Sequence, residues 1–347
     1  MAQRTVRAPG DPGRTPESAR PAPRAGTGLA REAGKKLAIF AATLFGASVL
    51  IFVVTAALPG DLAQVLLGTD ATPEAVAQLR AQLGLDRPLV VRYLDWIGGV
   101  LVGDFGMSPI QSNLPVISLI APRIAVTCWL VLFGILGSVL IALPAGMLAA
   151  LKRRHWQGFA VNALAQIGMA IPVFWGGILL VFVFAVWLRW LPANGYIPLS
   201  QDPAGWASHL VLPVVTLSLV QGAVLVRYVR SAFVEVLNED YYRTARAIGW
   251  LPNAALFRHG VRNAAVSLVT VIGLQLSSVL VGAIVVEQVF TLPGLGTLLL
   301  NAVGQRDLLV VQGTVMFLVV AVLVINAVVD FSYLLIDPRQ RGGGEAE

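Results

Sequence analysis

The sequence predicts an all-α, polytopic membrane protein. Charged residues make up 13% of the chain, against roughly 25% in soluble domains. Mean hydropathy is +0.76. Several uncharged runs reach the ~20 residues that cross ~30 Å of hydrocarbon at 1.5 Å per residue.

Six spans are expected: Leu37–Leu58, Ile124–Leu151, Phe159–Leu188, Leu210–Val226, Ala264–Val286 and Leu308–Val329. The second and third exceed one crossing and are expected to tilt or to extend past the interface. The fourth is the shortest, with Pro203, Pro213 and Gly222 in or beside it.

Basic residues set the expected orientation, since they concentrate in cytoplasmic segments. With the N-terminus inside, nineteen fall on the inner side: eight before Leu37, then Lys152, Arg153, Arg154, Arg227, Arg230, Arg243, Arg246, Arg258, Arg262, Arg339 and Arg341. Six fall outside: Arg80, Arg87, Arg92, Arg123, Arg189 and Arg306. Both termini are therefore expected to be cytoplasmic, and the net charge of +6 requires no nucleic acid to explain it.

Residues 1–36 are rich in Arg, Pro and Gly and are expected to be disordered. The 22-residue apolar run that follows is too long for a signal core, which favours a retained first span. The expected organisation is thus a basic N-terminus (1–36), a transmembrane domain (37–339) and a short tail (340–347). The domain includes an outer helical loop (59–123) and a cytoplasmic loop (227–263). The single Cys128 supplies neither a disulfide framework nor a metal site.

In the outer loop, Thr72-Pro73-Glu74 reads as a helix start, with an N-cap, a proline at the first position and an acid in the first turn. Val76, Leu79 and Leu83 follow on one face, and Gly84 ends the helix. A second amphipathic helix is expected from Pro88 to Leu101, with Val90, Tyr93, Leu94, Ile97 and Leu101 on its apolar face. Tyr93 and Trp96 suit the headgroup layer. This cap would either contact a partner or roof the spans.

The most informative stretch is the loop DYYRTARAIG, Asp240–Gly249. Asn238 is the expected N-cap of a helix of about 11 residues, or ~16 Å. Glu239 and Asp240 complement the helix dipole at its start, and Arg243 and Arg246 do so at its end. Glu239 and Arg243 form an i,i+4 pair, and Gly249 is a natural stop. Pro252 opens a second short helix, with Gly260 near its end. Ala245, Ala247 and Gly249 leave little bulk, so side chains of another protein could approach the backbone. The competing reading is a helix lying on anionic lipid through its arginines.

At this loop the chain resembles the permease subunits of binding-protein-dependent ABC transporters, in the branch that imports dipeptides, oligopeptides and nickel. The family motif reads Glu-Ala-Ala, three residues, then Gly, with an apolar-Leu-Pro ending further along. Arg243, Thr244 and Ala245 fall on its first three positions and Gly249 on its Gly. Val261 takes the Leu place and Arg262 the Pro place. The acidic first residue and the closing Pro are absent, as is usual in the peptide branch. This departure bears on any contact made by the family's Glu, not on the docking helix itself.

Three further stretches resemble the branch: Leu83–Ser108, Glu287–Gly296 (EQVFTLPGLG) and the closing Asp337-Pro338-Arg339. The likeness covers about residues 37–339 and is closest to the permease type with the larger outer loop after its first span.

The resemblance implies a six-helix importer permease that works with a second, related permease subunit. Two ATP-binding subunits would bind the ATP and magnesium, so no cofactor is expected in this chain. An extracellular binding protein would deliver the solute. Asp240, Tyr242, Arg243, Thr244, Ala245, Arg246, Ala247 and Gly249 are the coupling residues it implies.

The chain lacks a Walker pattern, because none of Lys35, Lys36 and Lys152 follows Gly and precedes Ser or Thr in the required way. The main alternative is an ion-coupled secondary carrier. Such carriers keep carboxylates deep in the bilayer, whereas Glu287, Asp307 and Asp330 sit at expected span ends. Pro144, Pro172 and Pro213 would suit broken carrier helices or be ordinary kinks. An intramembrane enzyme is disfavoured, since His155, His209 and His259 lie in loops or at span ends without metal-ligand spacing.

Asn162, Gln166, Gln221, Gln275, Ser277, Ser278 and Asn326 are polar residues in apolar spans. Such residues face protein or a cavity. Gln221, Gln275 and Ser278 are the pathway candidates. Glu287, Gly294 and Gly296 are candidates for an outer gate, or else form an interfacial turn for which Pro293-Gly294 is sufficient cause.

Overall fold

The computed structural model describes residues 25–57, 62–68, 71–256, 258 and 261–336. The chain divides into two compact units, residues 1–41 and 42–347. The first contributes the beginning of helix α1 (Ala25–Ala57). The helix starts two residues after Pro23 and takes in residues 25–36, which the sequence assigned to the basic N-terminus. Helix formers such as Leu29, Ala30, Arg31 and Glu32 follow that proline. Residues 1–24 and the closing Asp337–Arg339 motif lie outside the described residues.

The second unit is helical, as expected. Among the described residues, five helices are long and apolar enough to cross a membrane, α1 included, and a bent helix pair brings the number to as many as six. After α1 come three short helices: α2 (Leu62–Leu67), α3 (Pro73–Gln82) and α4 (Leu89–Leu101). Helix α3 begins as its sequence dictates, with the Thr72 hydroxyl accepting a hydrogen bond from the Ala75 amide at 3.3 Å. A two-stranded hairpin, β1 (Met107–Ser108) and β2 (Leu114–Pro115), interrupts the helices. Two-residue strands leave too short a pattern to be read from alternation.

The apolar face of α4 is rotated from the expected one. Trp96 is buried, and Tyr93, Ile97 and Val100 pack with it against Ile51, Phe52 and Met316. Val90, Leu94 and Leu101 are exposed. Nearly every position of this helix except Arg92 and Asp95 is apolar or Gly, so the sequence alone leaves the buried stripe under-determined.

Helix α5 (Val116–Leu151) follows, then α6 (Trp156–Ala170) and α7 (Val173–Leu180). Helix α7 continues into a π-helical segment, Val181–Trp187. The expected third span is therefore not one tilted helix, because α6 and the α7 segment meet at 103°. Pro172 has no N–H and holds Ile171 in extended conformation (φ −80°, ψ 120°), which ends α6. Pro144 and Pro213, in contrast, lie inside continuous helices.

Helix α8 (Pro203–Asn238) is far longer than the span expected at Leu210–Val226, and at 36 residues extends about 54 Å. Asp202 caps it through the Ala204 amide at 3.0 Å. Arg227, Arg230 and Glu235 end the apolar stretch without ending the helix. Helix α8 packs on α5, α6, α7 and α11. Small residues permit that approach: a Cβ at Gly146 of α5 would stand 2.6 Å from the Val229 side chain of α8.

The remaining helices are α9 (Asp240–Ala247), α10 (Pro252–Ala255), α11 (Val261–Val289), α12 (Leu295–Gln305) and α13 (Leu308–Ile336). Two larger cores organise them. One gathers Ile120, Leu130, Leu217, Val286, Phe290 and Leu295. The other gathers Leu225, Val229, Phe233, Tyr242, Ala245 and Leu256. Helix α9 is thus anchored to the membrane helices through its own core residues.

Candidate functional site

Two constructions stand out: the loop helix α9 and a buried polar clamp at the start of α12. A single residue, Glu239, separates helix α9 from the end of α8. Its N-cap is Glu239, not Asn238, with φ −72° and ψ 147° and no side-chain cap bond. It is 8 residues long, shorter than expected. The expected Glu239–Arg243 pair is replaced by Arg243 with Asp240, at 3.6 Å. Both side chains are solvated, 69% and 98% exposed, so the pair adds little stability.

At the other end Arg246 donates to the Trp250 carbonyl. The Trp250 amide closes the turn on Ala245 O at 3.2 Å, and Arg258 lies over the Trp250 ring at 5.4 Å. Gly249 adopts φ +95°, the left-handed conformation that a side chain disfavours.

The eight coupling candidates divide into two sets. Tyr242 and Ala245 are buried in the chain's own core. The small side chain of Ala245 therefore serves internal packing and offers no approach to another protein. Asp240, Arg243, Thr244, Arg246, Ala247 and Gly249 are exposed. Beside them stand two residues that sequence reasoning passed over, Ile248 (71% exposed) and Leu251 (73% exposed). The available signal was their position: two bulky aliphatics flanking Gly249-Trp250 in a polar loop. Val261 and Arg262 fall in the first turn of α11, while His259 and Gly260 lie outside the described residues.

The clamp joins Glu287, Gly294 and Gly296, which the sequence placed together, to Thr127 of α5, which it did not. Glu287 is fully buried near the end of α11. Its Oε2 accepts the Gly296 amide at 2.7 Å and the Thr297 amide at 3.4 Å. Its Oε1 accepts the Thr127 hydroxyl at 2.5 Å, and Thr127 Oγ1 in turn accepts the Leu295 amide at 3.0 Å. Three of the first amides of α12, which have no partner within the helix, are thus satisfied by two side chains from other helices. A Cβ at Gly294 would collide with the Glu287 carboxyl group. One at Gly296 would stand 2.6 Å from Ile284 Cα.

A parallel construction starts α13. Buried Asp307 accepts the Val310 amide at 3.3 Å and the Ser108 hydroxyl, tying the hairpin to that helix.

The pathway candidates are not joined to each other. Gln221 on α8 and Gln275 on α11 are buried, and the Gln275 Nε2 has no partner. Ser278 is exposed. Ser277 bonds Asn326 at 3.3 Å, a link between α11 and α13. Among the described residues no three His, Cys, Asp or Glu side chains stand together as a metal site.

Residues 142–342 match the family described as binding-protein-dependent transport system inner membrane component. Residues 35–121 match the N-terminal part of such membrane components. A protein of Brucella abortus (strain 2308) named for a peptide transport system permease is 42% identical over 85% of this chain and 93% of its own. The glutathione transport system permease protein GsiC of Escherichia coli (strain K12) is 40% identical over 88% and 97%. The fold is similar to a chain of the inward-facing MetNI methionine ABC transporter, with a TM-score of 0.54 and 18% identity over 64% of this chain and 97% of that one.

The family matches span the loop helix and the Glu287–Gly296 side of the clamp, while Thr127 lies between them, and the relatives set the ion-coupled carrier aside. This chain belongs to the inner-membrane permease family of binding-protein-dependent transport systems, and is a multi-pass transport subunit of the bacterial inner membrane.

Proposed function

We propose that this permease passes peptides or similar small solutes inward, as one of two related permease subunits that together form the pathway. The names of its relatives, peptide and glutathione permeases, support that cargo class. Both termini and α9 face the cytoplasm in this reading, in accord with the distribution of Lys and Arg. Two ATP-binding subunits supply the ATP and magnesium chemistry, and an extracellular binding protein delivers the solute. Gln221, Gln275 and Ser278 are the pathway candidates, and the Glu287 clamp is the candidate outer gate.

The observation that carries the coupling role is the exposed surface of α9 and the turn after it. Tyr242 and Ala245 fasten this helix to the membrane core, while Ile248 and Leu251 stand out from it at 71% and 73% exposure. Two bulky aliphatic side chains amid exposed arginines form a small apolar knob with a charged surround. That composition fits a groove on a soluble subunit. A helix anchored on one face and apolar at its tip transmits displacement as a lever.

The test is Ile248→Asp together with Leu251→Asp, followed by affinity purification of the tagged chain from native membranes in mild detergent. The wild type is expected to bring down a second permease and Walker-motif ATPases. The double variant should insert normally and lose the ATPases. Equal ATPase recovery from both would refute the assignment.

A further inference from the structure

A cavity of about 330 Å³ lies beside α4, bounded by the C-terminal end of α1 and the N-terminal end of α13. Phe52, Leu62, Phe105 and Leu309 supply apolar lining. Four charged residues, Arg87, Arg92, Asp95 and Asp104, also line it. They are not equivalent. Arg87 and Asp95 neutralise each other at 2.7 Å. Arg92 donates to the Leu85 carbonyl at 3.4 Å, with no carboxylate in ion-pair range among the described residues. Asp104 accepts the Gly106 amide at 2.9 Å and likewise has no cationic partner among them. Trp96 completes the wall, and its buried indole N–H has no acceptor.

The cavity's depth follows from the helices that bound it. Phe52 and Ala56 belong to the last turns of α1, and Leu308 and Leu309 open α13. The ends of membrane-crossing helices mark the boundary between hydrocarbon and headgroups, where Tyr and Trp concentrate. Leu89, Val90, Leu94 and Leu101 of helix α4 and its C-cap Val102 are between 58% and 82% exposed. An amphipathic helix at that depth is covered by acyl chains.

An occupant of this cavity therefore meets apolar walls, one unpaired cation and one unpaired anion. We propose that the cavity binds a phospholipid with a zwitterionic, primary-amine headgroup. The phosphodiester would meet the Arg92 guanidinium, the ammonium would meet Asp104, and the glycerol and first acyl carbons would lie against Phe52, Leu62 and Leu309. An anionic headgroup without the amine leaves Asp104 uncompensated. A quaternary amine cannot donate a hydrogen bond to it.

The test is native mass spectrometry of the full chain, with its co-purifying subunits, after exchange into nanodiscs of equimolar phosphatidylethanolamine, phosphatidylcholine and phosphatidylglycerol. Phosphatidylethanolamine should be retained preferentially through delipidation. Dilauroyl-phosphatidylethanolamine should raise the melting midpoint of delipidated protein more than the other two lipids do. Arg92→Gln and Asp104→Asn should each lower retention about tenfold, the effect of one charge-assisted hydrogen bond.

Equal retention of the three lipids would overturn the proposal, and that comparison needs no variant. Unchanged retention in Asp104→Asn, an exposed position, would do the same. Equal stabilisation by inorganic phosphate would show an anion site without lipid recognition. Displacement by a dipeptide would assign the cavity to solute. Either result also defeats the proposal.

Discussion

Replacing Thr127 by Val tests whether the clamp at the start of α12 holds the helices together. The substitution keeps the side chain's shape and removes one hydroxyl. That hydroxyl donates to Glu287 at 2.5 Å and accepts the Leu295 amide at 3.0 Å. Hydrogen bonds between membrane helices average about 0.6 kcal/mol, which puts a floor of about 1 kcal/mol under the loss of two. This site departs from that average in two respects. One partner is a carboxyl group, where a bond contributes about 1.5–3 kcal/mol, and the other is a buried amide that is stranded at a cost of about 1–3 kcal/mol. We expect about 2–4 kcal/mol of destabilisation, short of the full sum because the α12 terminus can relax.

At about 2 °C per kcal/mol for a large chain, the melting midpoint in detergent should fall by about 4–8 °C. Thr127→Ser keeps the hydroxyl and loses one methyl group, and should recover all but about 1 kcal/mol of the loss. A Val variant that melts within about 1 °C of wild type would refute the reasoning, because even the floor requires more. Val and Ser variants that melt together would place the effect in packing and not in the hydroxyl.

Three further perturbations separate folding from coupling. Ser108→Ala removes the hydroxyl that joins the hairpin to Asp307 and accepts the Gln111 amide at 2.9 Å. It should destabilise by about 2–3 kcal/mol and speed proteolysis within residues 107–115. Wild-type proteolysis would show that other contacts hold the hairpin. Ala245→Leu forces extra volume into a buried site and should cost about 1–3 kcal/mol, visible as a lower melting midpoint. Gly249→Trp, in open space but at φ +95°, should leave insertion intact and abolish uptake. Normal uptake by a well-expressed Gly249→Trp protein would exclude the turn from coupling.

The helical class, most span positions and the start of α3 were legible because each depends on a local sum. Twenty apolar residues need not find a particular partner to leave water, and Thr72-Pro73 caps its helix with atoms three residues apart. The loop motif was legible for the same reason, since Asp240, Arg246 and Gly249 act on their own helix.

Elsewhere local reading reached its limit. Hydropathy marks where the bilayer ends, so α8 was cut at Val226 although the helix continues to Asn238. Pro172 breaks its span while Pro144 and Pro213 do not. The residue before Pro172 is extended, whereas Pro144 and Pro213 lie within unbroken helices, and a proline's presence in the sequence does not tell the two cases apart.

The sequence by itself determined that this chain lies in a membrane, roughly where it crosses, and that its polar loop carries a helix. Only the tertiary structure decided that Ala245 faces inward while Ile248 and Leu251 face out. It also decided that Trp96 is buried and that Thr127 completes the Glu287 site. Burial depends on which neighbour covers a face, and the clamp joins residues 160 positions apart. No periodicity along the chain carries that distance. It arises when α5, α11 and α12 pack, and their amides must then find partners where water is absent.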